Sequence, residues 1–324
     1  MTIDNHFDTC CESGVHPIEM DQYTLSTKSI GQVVNKISLW SKRKIRGGII
    51  YGRPRLGKTR TIRFVRTNIA KMFGKPVAHF LFTCARTVSN NESGFLSDLL
   101  RDLGYGLPLA GTALQKRHRV IEFLISEAQS CNDHRVILFI DEAQNLRWIH
   151  FEWLIAIYNA LEMAEVQMYV YLFGQEELIA QKDAYRAENR QQIVGRFMVA
   201  KHQFTGLRSK EDLRYALARY DLHSEYPTGS GISFTKHYFP AAFLHGWRLA
   251  DLTELLWSCF MEMRAQANVH GKVDIPMQAF TAVVDGILLT CGSKTNRAPN
   301  VNRTVIIQLL QESGYVELEQ SVAA

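Results

Sequence analysis

Eight consecutive residues, Gly52-Arg53-Pro54-Arg55-Leu56-Gly57-Lys58-Thr59, fit the pattern G-x-x-x-x-G-K-[S/T]. The pattern constrains the fold because it works only between a strand and a helix. Both are written in the flanking residues. Gly48-Ile49-Ile50-Tyr51 reads as a short strand, and Ile62, Val65, Ile69, Met72 and Phe73 follow at near-helical spacing, with Arg60, Arg63 and Arg66 on the other side. Glycines let the backbone wrap a polyphosphate with its N–H groups pointing inward, and the helix N-terminus adds positive partial charge. Lys58 would reach the β- and γ-phosphates and Thr59 would ligate Mg2+. The candidate binding residues run from Gly52 through Arg60.

A second signal lies downstream. Arg135-Val136-Ile137-Leu138-Phe139-Ile140 is an apolar strand ending in two acids, Asp141 and Glu142. In a parallel sheet the ligand crevice lies at the carboxyl ends of the strands. Asp141 is therefore expected beside Mg2+, and Glu142 is expected as the general base that polarises attacking water. Acids are also favoured at a helix start, which is the plainer explanation of the pair.

The remaining pattern alternates. A helix is expected from about Ser29 to Trp40, ending in the basic cluster Lys42-Arg43-Lys44 with Arg46. Strands are expected at Val77 to Phe82 and Tyr169 to Phe173, and helices at Leu96 to Leu103, Arg119 to Gln129 and Trp153 to Leu161. Strand–helix alternation argues an α/β fold with a parallel sheet. After about Ser209 the strands stop, and 211–221, 234–245, 248–268 and 276–290 read as helices. The expected organisation is an N-terminal segment and helix (1–47), an α/β domain (48–207), a helical domain (208–290) and a C-terminal tail (291–324).

Composition narrows the class. Of 324 residues 46% are hydrophobic and 21% charged, with a net charge of +5, which excludes a disordered chain and permits nucleic-acid binding without demanding it. The six cysteines are scattered without a C-x-x-C pair, so neither a zinc site nor a disulfide scaffold is expected. No signal-peptide pattern and no apolar run long enough to span a membrane is seen, so a cytoplasmic protein is expected.

Gly52–Thr59 together with Asp141-Glu142-Ala143-Gln144 resembles the AAA+ ATPases. The resemblance implies a three-layer αβα P-loop domain, a small all-helical lid and Mg2+-dependent ATP hydrolysis. Gly174-Gln175-Glu176-Glu177-Leu178 resembles the sensor-1 strand end, with Gln175 as the polar residue there. Gln192-Ile193-Val194-Gly195-Arg196-Phe197 resembles the arginine-finger segment, with Arg196 acting on a neighbouring subunit and Arg190 as a spare. Gly246-Trp247-Arg248 resembles sensor 2, with Arg248 on the nucleotide. Arg196 and Arg248 are alternatively ordinary surface arginines. In one respect the loop departs from many AAA+ loops: Arg55 stands where a glycine is common.

The compact size and the motif set are most similar to the transposition regulators of the TnsC, TniB and MuB group. That implies an ATP-dependent homo-oligomer, ring or filament, on double-stranded DNA, linking a TniQ-type target-selection adaptor to a DDE transposase. Candidate DNA contacts are Arg86 and Thr87 after the second strand, and Lys116, Arg117 and Arg119 at a helix start. The bland alternative is a loop and a solvated helix end. From Cys291 to Asn302 the chain is polar, and a short apolar helix is expected near Thr304 to Leu310; the stretch suits either a partner-docking tail or a frayed terminus. The rival functions are an ExeA-like secretion ATPase, a helicase loader or replication initiator, and a signalling switch.

Overall fold

A computed structural model of the chain describes residues 14–84 and 88–323. They form two compact units: Ser29–Thr205, and the residues through Lys28 together with Gly206 onward.

The first unit begins with α1 (Lys28–Lys42) and β1 (Gly47–Tyr51), then α2 (Lys58–Thr67), α3 (Ile69–Phe73) and β2 (Ala78–Thr83). It continues through α4 (Glu92–Asp102), α5 (Ala113–Ser130), β3 (Arg135–Asp141), a 3-10 turn (Ala143–Asn145) and α6 (Trp148–Met163). It ends with β4 (Gln167–Gly174), α7 (Glu177–Ala187), α8 (Gln191–Phe197) and β5 (Ala200–Gln203). The five strands lie in the order β2-β3-β4-β1-β5, and every pairing is parallel.

Side chains alternate across the strands, as a two-fold pleat requires. Val136, Leu138 and Ile140 of β3 face one core with α4, α5, α6 and α8, through Phe95, Leu99, Val120, Phe151, Leu154 and Phe197. Ile137 and Phe139 face a second core with α1, α2 and α3, through Val33, Ile37, Trp40, Ile62, Val65 and Ile69. Both faces of the sheet are covered, and the unit is a three-layer αβα domain, as the uninterrupted apolar run of β3 predicts.

The second unit holds α9 (Lys210–Leu222), α10 (Phe234–Tyr238), α11 (Pro240–Leu244), a 3-10 turn (Leu249–Leu252), α12 (Thr253–Gln266), α13 (Met277–Cys291), α14 (Arg303–Glu312) and α15 (Tyr315–Ala323). Its core gathers Leu213, Leu217, Tyr220, Leu256, Phe260, Phe280, Val284 and Ile287. Among the described residues no helix is long and apolar enough to cross a membrane, and Cys84, Cys131, Cys259 and Cys291 are free thiols.

Several local expectations change. The helix expected through Phe73 breaks at Asn68, whose side-chain amide donates to the Phe64 carbonyl at 2.8 Å. Residues through Lys28 and helix α1 part company, one in each unit. Ile18 and Leu25 enter the helical core, and the Tyr23 hydroxyl lies 2.6 Å from that of Tyr220 and 2.7 Å from Asp285 Oδ1. Within 291–324, Ile306, Leu310 and Tyr315 are fully buried in the same core. A buried ion pair joins Arg264 of α12 to Glu319 of α15.

These contacts make α14 part of the helical core. Leu310→Ala should therefore lower the unfolding free energy by about 2–5 kcal/mol, read by urea denaturation. A change within about 0.5 kcal/mol would mean that α14 is a loosely attached tail.

Candidate phosphate-binding site

β1 runs into the loop at Gly52, whose N–H donates to the Gly174 carbonyl at 3.2 Å. A Cβ at Gly52 would stand 2.3 Å from the Phe204 carbonyl oxygen, so only glycine fits. Leu56 is 1% exposed and pins the loop to the core. Arg55 has φ 63°, the left-handed conformation that glycine adopts without cost. The backbone thus keeps the glycine-like shape although the side chain differs. Gly57 has φ 97° and leads into α2, which starts with no capping side chain and no acid in its first turn. Its first N–H groups are therefore available to an anion.

The Lys58 side chain turns back over the loop. Its ammonium donates to the Gly52 carbonyl at 2.7 Å and to the Arg53 carbonyl at 2.6 Å. Burial pushes its pKa down, opposed by the carboxylates of Glu142, Asp141, Glu177 and Glu176. Next along the helix, Thr59 Oγ1 donates to Asp141 Oδ2 at 2.5 Å. Asp141 is 1% exposed, and burial raises its pKa against the hydroxyl of Thr59 and the N–H of Glu142. Thr59 and Asp141 offer two hard oxygens, which suits Mg2+, an ion that takes few protein ligands and keeps waters and phosphates for the rest. No cluster of three or more His, Cys, Asp or Glu suited to a metal occurs among the described residues.

Glu142 follows Asp141 in a left-handed conformation, φ 52° and ψ 37°. Such a backbone costs about 1 kcal/mol for a residue with a Cβ, and the surrounding bonds hold it. Its N–H donates to Asp141 Oδ1 at 3.0 Å, and Gln144 Nε2 donates to its Oε2 at 2.6 Å. Gln175 follows β4 and donates its backbone N–H to Gln144 Oε1 at 3.1 Å. The loop, Lys58, Thr59, Asp141, Glu142 and Gln175 thus meet at one edge of the sheet.

Other candidates stand elsewhere. Arg196 is at the end of α8, where its carbonyl oxygen would lie 2.0 Å from a Cβ on Gly47, the first residue of β1. β1 spans about 13 Å from Gly47 to Tyr51 at a strand rise of roughly 3.3 Å, so Arg196 marks the opposite edge of the sheet from its own phosphate loop. Arg196 Nη2 donates to Asn159 Oδ1 at 3.3 Å. Arg190 stacks 4.2 Å over Trp148 and pairs with Glu188 at 2.7 Å. Arg248 belongs to the helical unit. It donates to the carbonyls of Phe243 and Trp247 at 2.8 and 2.7 Å and lies 3.5 Å over the Phe243 ring. It opens a 3-10 turn, where the sequence suggested a regular helix.

The basic run at the start of α5 needs correction. Lys116 is 5% exposed, and its ammonium donates to Ser93 Oγ at 2.9 Å and Ser97 Oγ at 2.7 Å, tying α5 to α4. It is not a surface phosphate contact. The signal was present: Lys116 lies on the same helical face as the buried Val120, Leu124 and Ala128. Arg117 is paired with Glu92, and Arg119 donates to the Ala110 carbonyl. Arg86 and Thr87 lie outside the described residues.

Two supporting residues escaped the sequence reading. Asn145 Nδ2 donates to the Cys84 carbonyl at 3.0 Å, holding the turn after Glu142 to the end of β2. His150 is fully buried. Its Nδ1 accepts the Arg147 N–H at 2.8 Å, and its Nε2 lies 3.0 Å from the Ser89 carbonyl. That pair of bonds requires the neutral ring with the proton on Nε2.

Residues 43–181 match the family described as an AAA domain. No curated protein matches the sequence. The chain is similar to the Aeropyrum pernix ORC2 protein in its ADPNP-ADP complexes, at 14% identity and a TM-score of 0.51, covering 92% of this chain and 71% of that one. It is also similar to the ADP form of that protein (14%, TM-score 0.49, 88% and 68% covered). A third similar structure is domain III of the Thermotoga maritima replication initiation protein DnaA (13%, TM-score 0.45, 91% and 95% covered). Over residues 43–181 the chain is thus similar to an AAA domain, and the likeness to the first of these structures extends to the fold.

Burial lowers the His150 pKa below 6.5, so the unfolded chain takes up this proton first. The stability it supports is present above about pH 6.5 and is lost as pH falls through its folded value. Half-buried His202 in the same unit, and His16 and His237 in the other, act in the same direction. His150→Gln should reduce the loss of melting temperature between pH 7 and pH 5 relative to the parent. Identical slopes would show that His150 does not resist protonation.

Proposed function

We propose that this chain is a Mg2+-dependent ATPase whose nucleotide state governs assembly of a homo-oligomer on double-stranded DNA. The observation that carries the ATPase reading is the Lys58 ammonium. It is buried, bonded only to loop carbonyls among the contacts described above, and surrounded by acids beside an uncapped helix start. An arriving polyphosphate would replace those carbonyls with charge-assisted partners.

The roles follow from position. The loop from Gly52 to Arg60 would bind the phosphates, through the backbone N–H groups that follow Pro54 and the Lys58 ammonium. Thr59 and Asp141 would hold Mg2+, which supplies neutralising charge on the phosphates when bound. Glu142 would accept the proton of the attacking water. Gln175 would orient the water or the γ-phosphate. Arg196 stands at the far edge of the sheet from its own loop, which supports a role across a subunit interface. There it would stabilise charge developing on the phosphates of a second copy. Arg248 is retained as the lid contact to nucleotide on motif resemblance alone.

The finer reading, a transposition regulator that joins a TniQ-type adaptor to a DDE transposase, rests on the run of Asp141–Asn145, Gly174–Leu178 and Gln192–Phe197. With Lys116 withdrawn, Arg86, Thr87, Arg117 and Arg119 remain its DNA candidates. An initiator or helicase-loader ATPase shares the same nucleotide chemistry and differs in its partner.

Lys58→Ala should weaken ATP binding on the order of 100-fold, since it removes the buried partner of the phosphates. Unchanged affinity in a fluorescent-nucleotide titration would reject the loop assignment. Glu142→Gln should keep ATP bound while lowering turnover by about 100-fold or more.

The assembly reading is tested by negative-stain microscopy with linear duplex DNA, a slowly hydrolysed ATP analogue and a no-nucleotide control. Rings or filaments on DNA only with nucleotide are expected. Nucleotide-dependent rings that ignore DNA would reject the DNA role and favour a secretion or signalling ATPase.

A further inference from the structure

One peptide group links the phosphate loop to the candidate base. The Gly174 carbonyl accepts the N–H of Gly52, the first residue of the loop, at 3.2 Å. The N–H of the same peptide unit, carried by Gln175, donates to Gln144 Oε1 at 3.1 Å. The Gln144 amide then donates from Nε2 to Glu142 Oε2 at 2.6 Å. Both the peptide and the side-chain amide are planar, so a rotation at one end is passed to the other. Hydrogen bonds in such a series also polarise one another.

The polarity of the series has one solution. A carboxylate only accepts and a backbone N–H only donates. Flipping the Gln144 amide would set oxygen against carboxylate and NH2 against N–H. The turn that carries Gln144 is fixed on both sides. Gln181 Nε2 donates to the Gln144 carbonyl at 2.8 Å, and Asn145 Nδ2 holds the Cys84 carbonyl at 3.0 Å. Space is also reserved for the amide. A Cβ on Gly174 would stand 2.4 Å from Gln144 Oε1 and 2.6 Å from Leu178 Cδ1. The Glu142 carboxylate, with that of Asp141, opposes the lowering of the Lys58 pKa by burial, so its charge acts on the ammonium of the loop.

We propose that Gln144 is a positioning residue that aims the Glu142 carboxylate at the phosphate site and couples that aim to the phosphate loop through the Gly174–Gln175 peptide. The inference rests on Glu142 being the general base. A carboxylate on three rotatable bonds samples many directions when nothing holds it, and misplacement of a reacting group by about 1 Å can cost on the order of 100-fold in rate.

The test compares Gln144→Ala, Gln144→Glu and Gly174→Ala with the parent and with Glu142→Gln. Steady-state turnover of Mg·ATP, fluorescent ADP affinity and thermal melting are measured on the full chain. Gln144→Ala should lower kcat by about 10-fold or more while nucleotide affinity stays within about threefold. Gly174→Ala should act in the same direction, because the new methyl displaces the Gln144 amide.

Gln144→Glu is nearly isosteric and sets two like charges face to face, which turns the Glu142 carboxylate away. Its kcat should fall at least as far as that of Gln144→Ala, with nucleotide affinity again within about threefold. Parental kcat in Gln144→Ala beside an inactive Glu142→Gln would overturn the proposal. Equal loss of nucleotide affinity and kcat in Gln144→Ala would also overturn it and leave a purely structural side chain. Normal turnover in Glu142→Gln would instead remove the base assignment itself.

Discussion

β1 is hydrogen-bonded to β4 along one side and to β5 along the other, and Ile49 and Ile50 bury themselves on its opposite faces. That placement fixes where the phosphate loop can leave the sheet. The register puts Tyr51 beside Gly174, and the pairing of β3 with β4 brings Asp141 to the same edge. Residues from three strands therefore converge without any of them being neighbours in sequence. The apolar cores on the two faces supply the rigidity, and the loop inherits it through Leu56.

The site is electrostatically incomplete without ligand. Lys58 and Asp141 are both buried, and burial moves each toward its neutral form. Each is kept from that outcome by near neighbours: acids around the lysine, a hydroxyl and an N–H on the aspartate. On the proposed reading, a polyphosphate with a divalent cation would add one negative and one positive body where the corresponding partners stand. Such binding would strengthen charges that the fold alone holds at a cost.

Much of this was legible in the residues. Strands β2, β3 and β4 are apolar runs, and the helices on either side follow a 3.6 period, so the layer order could be read before any coordinates. β5 could not. Ala200-Lys201-His202-Gln203 is an edge strand with no apolar alternation, and its pairing with β1 is a long-range fact. Lys116 was misread because a charge in a basic run was weighed above its place on a buried helix face. The apolar helix near Thr304 to Leu310 was legible, but its burial was not, because Ile306, Leu310 and Tyr315 reach the core only once α12 and α13 exist to receive them. Gln144 was seen as part of a motif, but its bonds to Glu142 and Gln175 depend on the fold bringing β3 and β4 together.

The helical unit is discontinuous in the chain, and this orders its assembly during synthesis. The α/β unit is complete once residue 205 has left the ribosome, with all five strands in hand. Tyr23 emerges at the outset, yet the groups that receive it, Tyr220 and Asp285, are about 200 and 260 residues away. At roughly 5–20 residues per second, the opening segment waits on the order of ten seconds or more for its own unit. The α/β half can thus be folded before the helices that follow it have emerged.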